Sequence, residues 1–536
     1  MSVHKYIVYI LLFLCSFIAT LADAKEIKKQ NEVDEFEGRI IDSLIIDNRN
    51  IYDITQKKYD NFLFKTANRI HFTTQKKIIH RDILIHQGEP YSQKLADETA
   101  RILRQRFVLY DAWIEKEVIE GNKFLVRVVT IDRWSLGIGF ELSREGNQNN
   151  LKAGVTEKNF LGQNRYLSYH YITKTNEPSY SEFSALDRRV FGKEFQAEVS
   201  IRTNPRDKYV SFAFARPFYN LNQRFGFSLI TVNKKGRIDY YTDEIITSQL
   251  YYNGNRSEAL FAYRVGPYQQ KFNYHLKYIY NYETNESSQT LTNTAQDSLY
   301  QGFQVGVGYS KYNYKIKQNI DSRNFREDFN AGVEISLEYR KVTTLHDLNL
   351  LYNLTSFKIQ KNFITRQTLT AIFFNYEDWS NSGQNLRKKT NINLKFYNQT
   401  TSQFMLATNF DYLSDKSRQA VDLVTLGGLS GLRGVDKYYL SGDERIVVNT
   451  ELRTNPFLSI LSLNIGGAIF ADFANIIESP EQFKISNTEA SFGLGLRVSF
   501  DRSSKHVLRI DFAYSQAKEM QFSFGTGQYF QVNNHF

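Results

Sequence analysis

Towards its end this chain repeats a pattern that leaves few folds open, a strict alternation in which one parity is apolar throughout. Phe492, Leu494, Leu496, Val498 and Phe500 alternate with Gly493, Gly495, Arg497 and Ser499. Leu508, Ile510, Phe512 and Tyr514 alternate with Arg509, Asp511 and Ala513. Ile465, Gly467, Ile469, Ala471 and Phe473 share one parity, and Asn464, Gly466, Ala468 and Asp472 the other. In 445–453, Ile446, Val448, Thr450 and Leu452 oppose Arg445, Asn449, Glu451 and Arg453. A period of two is the period of a β-strand. A soluble sheet also alternates, but here the apolar face persists over about nine residues, the length of a tilted transmembrane strand.

Composition agrees. The 536 residues include 41 Phe and 35 Tyr but only 7 Pro, and mean hydropathy is −0.45. Barrel strands alternate lipid-facing and lumen-facing residues, so mean hydropathy stays low while aromatic girdles raise Phe and Tyr. Past residue 25 no apolar stretch is long enough for a spanning helix. From Ser135 onward, alternating segments recur between connections rich in Asn, Gly, Ser and Asp, among them 136–143, 165–174, 195–203, 208–216, 224–232, 272–282, 304–312 and 390–397. At about 25 residues for a strand and its connection, 135–536 predicts sixteen strands, and fourteen or eighteen also fit. No fixed-period repeat points to a solenoid or propeller.

The first residues set the compartment. Lys5, an apolar run over 6–18 and Ala22-Asp23-Ala24 form a secretory signal peptide, expected to be removed after residue 24. The run is short for a membrane anchor, and Leu14 stands before Cys15 where a lipoprotein signal has a small residue. Cys15 is the only cysteine. The processed chain therefore has no disulfide, thiol chemistry or cysteine-held metal. Residues 25–38 are a charged linker. Residues 39–133 read as a small α+β domain of order β-α-α-β-β. Ile40, Ile41, Leu44, Ile45 and Ile46 open it, and a mixed segment carries Phe62, Phe64, Ile70 and Phe72. A helix bears Leu95, Thr99, Ile102, Leu103 and Phe107 on one face. Two strands around 112–118 and 124–131 meet at Gly121-Asn122.

Several function classes are set aside. The net charge of +10 is spread through loops and lumen walls without a basic stripe, so no nucleic-acid partner is expected. His71, His80, His86, His170, His275, His346, His506 and His535 show no catalytic spacing, and neither Gly-x-Ser-x-Gly nor His-Glu-x-x-His occurs. No enzyme, metal or cofactor is expected.

Residues 427–435 read Gly427-Gly428-Leu429-Ser430-Gly431-Leu432-Arg433-Gly434-Val435. They resemble the sixth-loop motif, Val-Arg-Gly-aromatic, of the BamA/TamA superfamily of outer-membrane assembly and translocation barrels (the bacterial surface antigen family). Asn449-Thr450-Glu451-Leu452-Arg453 resembles the acidic strand that follows that loop. Phe470-Ala471-Asp472-Phe473-Ala474 resembles the family's Phe-x-Asp-x-Gly strand, and 493–497 and 508–513 its last strands in order. Residues 39–133 resemble one polypeptide-transport-associated (POTRA) domain, with Gly88-Glu89-Pro90-Tyr91-Ser92 in the usual place. The ordered set, covering nearly the whole processed chain, is what makes the resemblance specific.

The resemblance implies a transmembrane antiparallel β-barrel of sixteen strands in the outer membrane of a Gram-negative cell, preceded by one periplasmic POTRA-like domain. It implies an inward sixth loop near 427–444, anchored where Arg433 and Gly434 meet Glu451 and Asp472, whose parity points to the lumen. It also implies a lateral seam between 136–143 and 521–530, where Gly525 and Gly527 either weaken the strand pairing or are ordinary gaps in the aromatic girdle. The implied partners are outer-membrane lipid, unfolded or extended protein clients, and a periplasmic or inner-membrane partner reached through 39–133. A passive or plugged pore is the alternative, though porins lack a domain like 39–133. Two departures, Val435 for the aromatic and Ala474 for the glycine, predict a more loosely packed loop anchor. A single POTRA-like domain argues against the central assembly factor, which has several.

Overall fold

The computed structural model describes residues 34–532, except 146–147, 175–176, 243–244, 288–297, 345–351, 382, 400, 418–423, 429–430, 436–438, 478–484, 504–506 and 517–519. The expected signal peptide, most of the expected linker and Phe536 lie outside the described residues.

The small domain forms as the sequence predicts, with one more helix. Strand β1 (Ser43–Arg49) is followed by helices α1 (Phe62–Ile70), α2 (Lys76–His80) and α3 (Gln93–Arg104), then by β2 (Leu109–Ile119) and β3 (Lys123–Asp132). The sheet order is β1-β3-β2, with β3 parallel to β1 and antiparallel to β2. Gly121 and Asn122 both take positive φ, 76° and 57°, the geometry of a tight β2–β3 turn. Ile79, Ala96 and Leu103 pack from the helices onto Ile41, Ala112, Phe124 and Val128. Phe107 was expected on the helix face, but α3 ends at Arg104 and Phe107 is left exposed.

The rest is one closed antiparallel barrel. Six strands of nine to eleven residues lead: β4 (Leu136–Glu145), β5 (Gln148–Glu157), β6 (Arg165–Lys174), β7 (Glu177–Asp187), β8 (Gln196–Asn204) and β9 (Asp207–Arg216). Four longer ones follow: β10 (Phe225–Thr242), β11 (Ile245–Val265), β12 (Gln270–Ser287) and β13 (Ser298–Lys311). A hairpin, β14 (Tyr314–Gln318) and β15 (Arg326–Asn330), pairs only with itself. The wall resumes with β16 (Val333–Thr344), β17 (Tyr352–Ile364), β18 (Thr368–Asn381), β19 (Gln384–Asn398) and β20 (Phe404–Ser417). Two short strands, β21 (Val424–Leu426) and β22 (Leu440–Gly442), belong to a long inward loop. The wall closes with β23 (Glu444–Thr454), the three-residue β24 (Leu458–Ile460), β25 (Leu463–Ile477), β26 (Glu489–Phe500), β27 (Leu508–Ser515) and β28 (Met520–Thr526), which meets β4.

Among the described residues the barrel wall therefore has twenty strand positions, not sixteen, because the short β24 continues the line of β23 against the same neighbour, β25. The estimate failed because connections are shorter than the assumed spacing: Pro205 and Arg206 alone join β8 to β9, and three residues join β17 to β18. The extra strands all precede the inward loop, which becomes the eighth connection on its rim instead of the sixth. Parity survives the miscount. Ile138, Leu276, Ile469, Leu494 and Phe522 are exposed on the outer wall, while Glu451, Asp472, Arg497 and Asp511 are buried inside. An apolar exterior around a polar interior suits a bilayer. No helix among the described residues is long and apolar enough to cross a membrane.

The small domain sits against one rim, the near rim, and touches turns on several sides of it. Arg104 donates to both carboxylate oxygens of Asp328 (2.9 and 2.6 Å). Arg326 pairs with Asp111 at 2.7 Å, and Asp82 receives both Arg106 and Arg189. On either side of the β28–β4 seam, Tyr52 donates to the Asp501 carbonyl and Asn159 Nδ2 to the Phe72 carbonyl (3.3 and 2.9 Å).

Candidate functional site

The site lies inside the barrel, where the inward loop meets the wall. Glu451 on β23, Asp472 on β25 and Asp511 on β27 share the lumen parity, so their strands present three carboxylates to one volume. Arg433 on the loop enters it. Its Nε and Nη2 donate to the two oxygens of Asp472, each at 2.7 Å. Its Nη1 donates to Glu451 Oε1 at 2.6 Å and to Asp511 Oδ2 at 3.2 Å. The guanidinium plane lies between the rings of Phe470 and Tyr529, 3.5 and 4.0 Å from their centroids. Fork, charge and stacking together favour arginine over lysine here.

Three further arginines complete the balance. Arg453 Nε donates to Glu451 Oε2 at 2.7 Å, Arg497 Nη1 to Asp511 Oδ1 at 2.5 Å and Nη2 to Glu451 Oε1 at 3.1 Å. Arg509 pairs with Asp511 at 3.1 Å. All seven ionised groups are at most 5 % exposed by side chain, so each is held by partners rather than by water. Asn449 Nδ2 donates to the Gly431 carbonyl and to Asp472 Oδ1, both at 2.9 Å, tying loop backbone to wall.

Glycines make the approach possible. Gly434 has φ +80°, and a Cβ there would stand 3.0 Å from Ala513 Cβ. A Cβ on Gly495 would strike Asp511 Oδ1 at 2.1 Å. The loose anchor predicted from Val435 and Ala474 is not what forms. Both are buried, 1 % exposed, in one small core with Leu426, Leu432 and Val447. Relative to the family motif, 435 loses bulk and 474 gains a methyl, and both side chains lie within the same packed cluster.

The structure thus brings together Arg433, Gly434, Glu451 and Asp472, which parity and motif had singled out. Asp511, Arg497, Arg453, Arg509, Asn449 and Phe470 join them. Their inward parity was visible in the sequence, but their convergence depends on strand pairing. Gly525 lies in β28 opposite Arg509. Gly527 is not part of a seam strand: β28 ends at Thr526, and Gly527 turns at φ +90°.

That turn sends the tail into the lumen. Tyr529 stacks on Arg433, and its hydroxyl donates to the Gly428 carbonyl at 3.0 Å. Phe530 lies under Arg453, 4.8 Å from its guanidinium, and close to Tyr397. The Val532 amide donates to Asp321 at 2.8 Å. Asp321 belongs to the β14–β15 hairpin, whose Ile320 and Phe329 pack with Phe530, Val532, Leu369 and Met405. Loop, tail and hairpin therefore fill the interior in sequence. Glu327 on the hairpin, buried and beside Asp321, has its carboxyl pushed above the usual carboxylate range by desolvation and then by that neighbour. Among the described residues no group of three acidic or histidine side chains is set to hold a metal ion.

In overall shape the chain is similar to several solved barrels. CdiB from Escherichia coli is 11 % identical with a TM-score of 0.44, covering 91 % of this chain and 76 % of that one. CdiB from Acinetobacter baumannii is 11 % identical with a TM-score of 0.42, covering 92 % and 73 %. BamA from Haemophilus ducreyi lacking POTRA domains 1–3 is 12 % identical with a TM-score of 0.39, covering 90 % and 84 %. No protein-family model and no curated protein sequence matches the chain.

Proposed function

We propose that this protein is an outer-membrane factor that captures extended periplasmic chains and inserts them into, or moves them across, the outer membrane. The observation that carries the reading is the clasped loop: an arginine of a long lumen loop, forked onto three wall carboxylates inside a barrel with a small α+β domain at its near rim. A pore that only conducts needs neither an internal anchor of seven charges nor a domain beneath its mouth. The small domain offers a place for capture. The end of β2 towards Ile119 is an exposed sheet edge, and main-chain pairing at an edge binds extended segments with little sequence preference. Beside it, a cleft of about 1620 Å³ between domain and rim is lined by Tyr91, Trp113, Tyr268, Tyr312 and Tyr314.

A second reading, a plugged barrel with a structural role, is favoured by the filled lumen. One experiment separates the two. Depletion of the protein followed by comparison of outer-membrane proteomes should show selective loss of particular outer-membrane or surface proteins. An unchanged set would leave the structural reading standing. The reading includes no catalytic step and no cofactor.

A further inference from the structure

We propose that helix α1 and the chain around it form a lipid-docking face, by which the small domain rests on the near-side leaflet of the bilayer that holds the barrel. The inference rests on the barrel's being membrane-embedded, and its occupant is a phospholipid surface with anionic headgroups.

The first observation is the helix itself. At about 100° per residue, Phe62, Leu63 and Ile70 fall within one arc with Thr66 between them, Arg69 and Lys65 (paired with Asp60 at 2.5 Å) flank it, and Phe64 lies opposite. Phe64 is buried against Tyr52 and Tyr59. Phe62 is 79 % exposed, Leu63 57 % and Ile70 56 %. Exposed Lys57, Lys76 and Lys77 lie on either side. An apolar arc with a basic flank is the pattern of a helix lying in a membrane interface, with its cationic ends reaching for phosphate.

The second observation is continuity with the barrel's lipid-facing wall. Gln75 Nε2 donates to the Leu161 carbonyl at 2.8 Å, and Asn159 holds the Phe72 carbonyl. The end of α1 is thereby fixed to the β5–β6 turn. Above that turn the apolar wall carries Val155, paired with Tyr169 on one side and Ile138 on the other. Phe160 and Leu161 in the turn, then Phe72 and Ile70, continue that exposed apolar surface onto the domain.

The third observation is strain. Leu161 (φ +55°), Phe191 (φ +52°) and Leu461 (φ +55°) each sit in the left-handed region in a near-rim turn, and each is exposed, Phe191 almost fully. Bulky apolar residues seldom adopt that backbone. Water offers them nothing in return, whereas an acyl-headgroup boundary does. The same unfavourable choice at three turns marks the level of the interface, and α1 is joined to one of them.

The test uses the full chain with Cys15→Ser, in liposomes of phosphatidylethanolamine and phosphatidylglycerol. An environment-sensitive dye is attached at Phe62→Cys, at Ile138→Cys on the wall, or at Ile119→Cys at the far end of the β2 edge. Shallow nitroxide lipids should quench the dye at 62 and 138 by roughly twofold or more, while the dye at 119 responds only to aqueous iodide. If 138 is quenched by lipid but 62 behaves like 119, the docking face is wrong and the membrane-embedded barrel stands. If 62 is shielded from both quenchers, a protein surface covers it and the lipid assignment is overturned. If 138 itself is not quenched by lipid, the membrane premise fails and the inference fails with it.

Discussion

A guanidinium enclosed as Arg433 is cannot be trimmed without leaving charge behind. Removing it leaves Asp472 without a cation, held only by the Asn449 amide and the backbone N–H of residue 433, and takes from Glu451 and Asp511 one of their cations, in a volume that water hardly reaches. Breaking a buried pair from one side costs about 3–5 kcal/mol. The barrel ladder does not depend on the loop, so Arg433→Ala should keep the folded mobility of the barrel in cold detergent gels. Segment 424–442 should become open to protease. Arg433→Lys should behave almost as badly, because an ammonium has neither the fork nor the flat face held between Phe470 and Tyr529. Gly434→Ala tests the backbone instead. With φ at +80° and Ala513 3.0 Å from the new Cβ, it should cost about 1–2 kcal/mol, read as a lower unfolding midpoint in urea.

The β14–β15 hairpin is the element whose stability should depend on pH. Glu327 accepts the amides of Ile320 and Ser322, at 3.1 and 2.9 Å, and so holds the hairpin tip. Burial and the nearby Asp321 nevertheless raise its pKa in the folded chain. A carboxyl raised on folding contributes stability that is fully present below its unfolded pKa. That stability is lost as pH rises towards the raised value. Hydrogen exchange of 314–330, corrected for the intrinsic pH dependence of amides, should therefore accelerate from mildly acidic to mildly alkaline pH. In Glu327→Gln that trend should flatten. The hairpin was not legible as a separate element. Its strands of five residues alternate like fragments of the wall, and only their shortness shows that they cannot span it.

At the scale of the molecule, three segments from distant parts of the sequence close one interior. The inward loop lies against the tail through Arg433 and Tyr529, and the tail lies against the hairpin through Val532 and Asp321. Tyr529→Ala combined with Phe530→Ala removes both stacking contacts while leaving every wall strand intact. Single-channel conductance in planar bilayers should rise clearly above that of the unaltered protein. An unchanged conductance would mean that loop and hairpin seal the lumen without the tail.

The barrel, its inward and outward faces and the small domain were legible in the sequence because each depends on local periodicity, whereas the Arg433 anchor was legible only through the resemblance of its loop motif. Side-chain parity has a period of two wherever a strand runs, and it assigned Glu451 and Asp472 to the lumen before any pairing was known. Strand number is not a local property. It depends on how few residues each connection uses, and two-residue links such as Pro205-Arg206 gave no warning of how many times the chain would cross. Nor could alternation show that Val435 and Ala474 share one packed core, or that Asp511 completes the anchor. Those facts arise where β23, β25 and β27 curve round to face one loop, and curvature and closure are set by the whole ring of strands. The tail shows the same limit: its aromatic residues read as a last strand, and one left-handed glycine with Arg433 and Arg453 waiting inside drew them into the lumen.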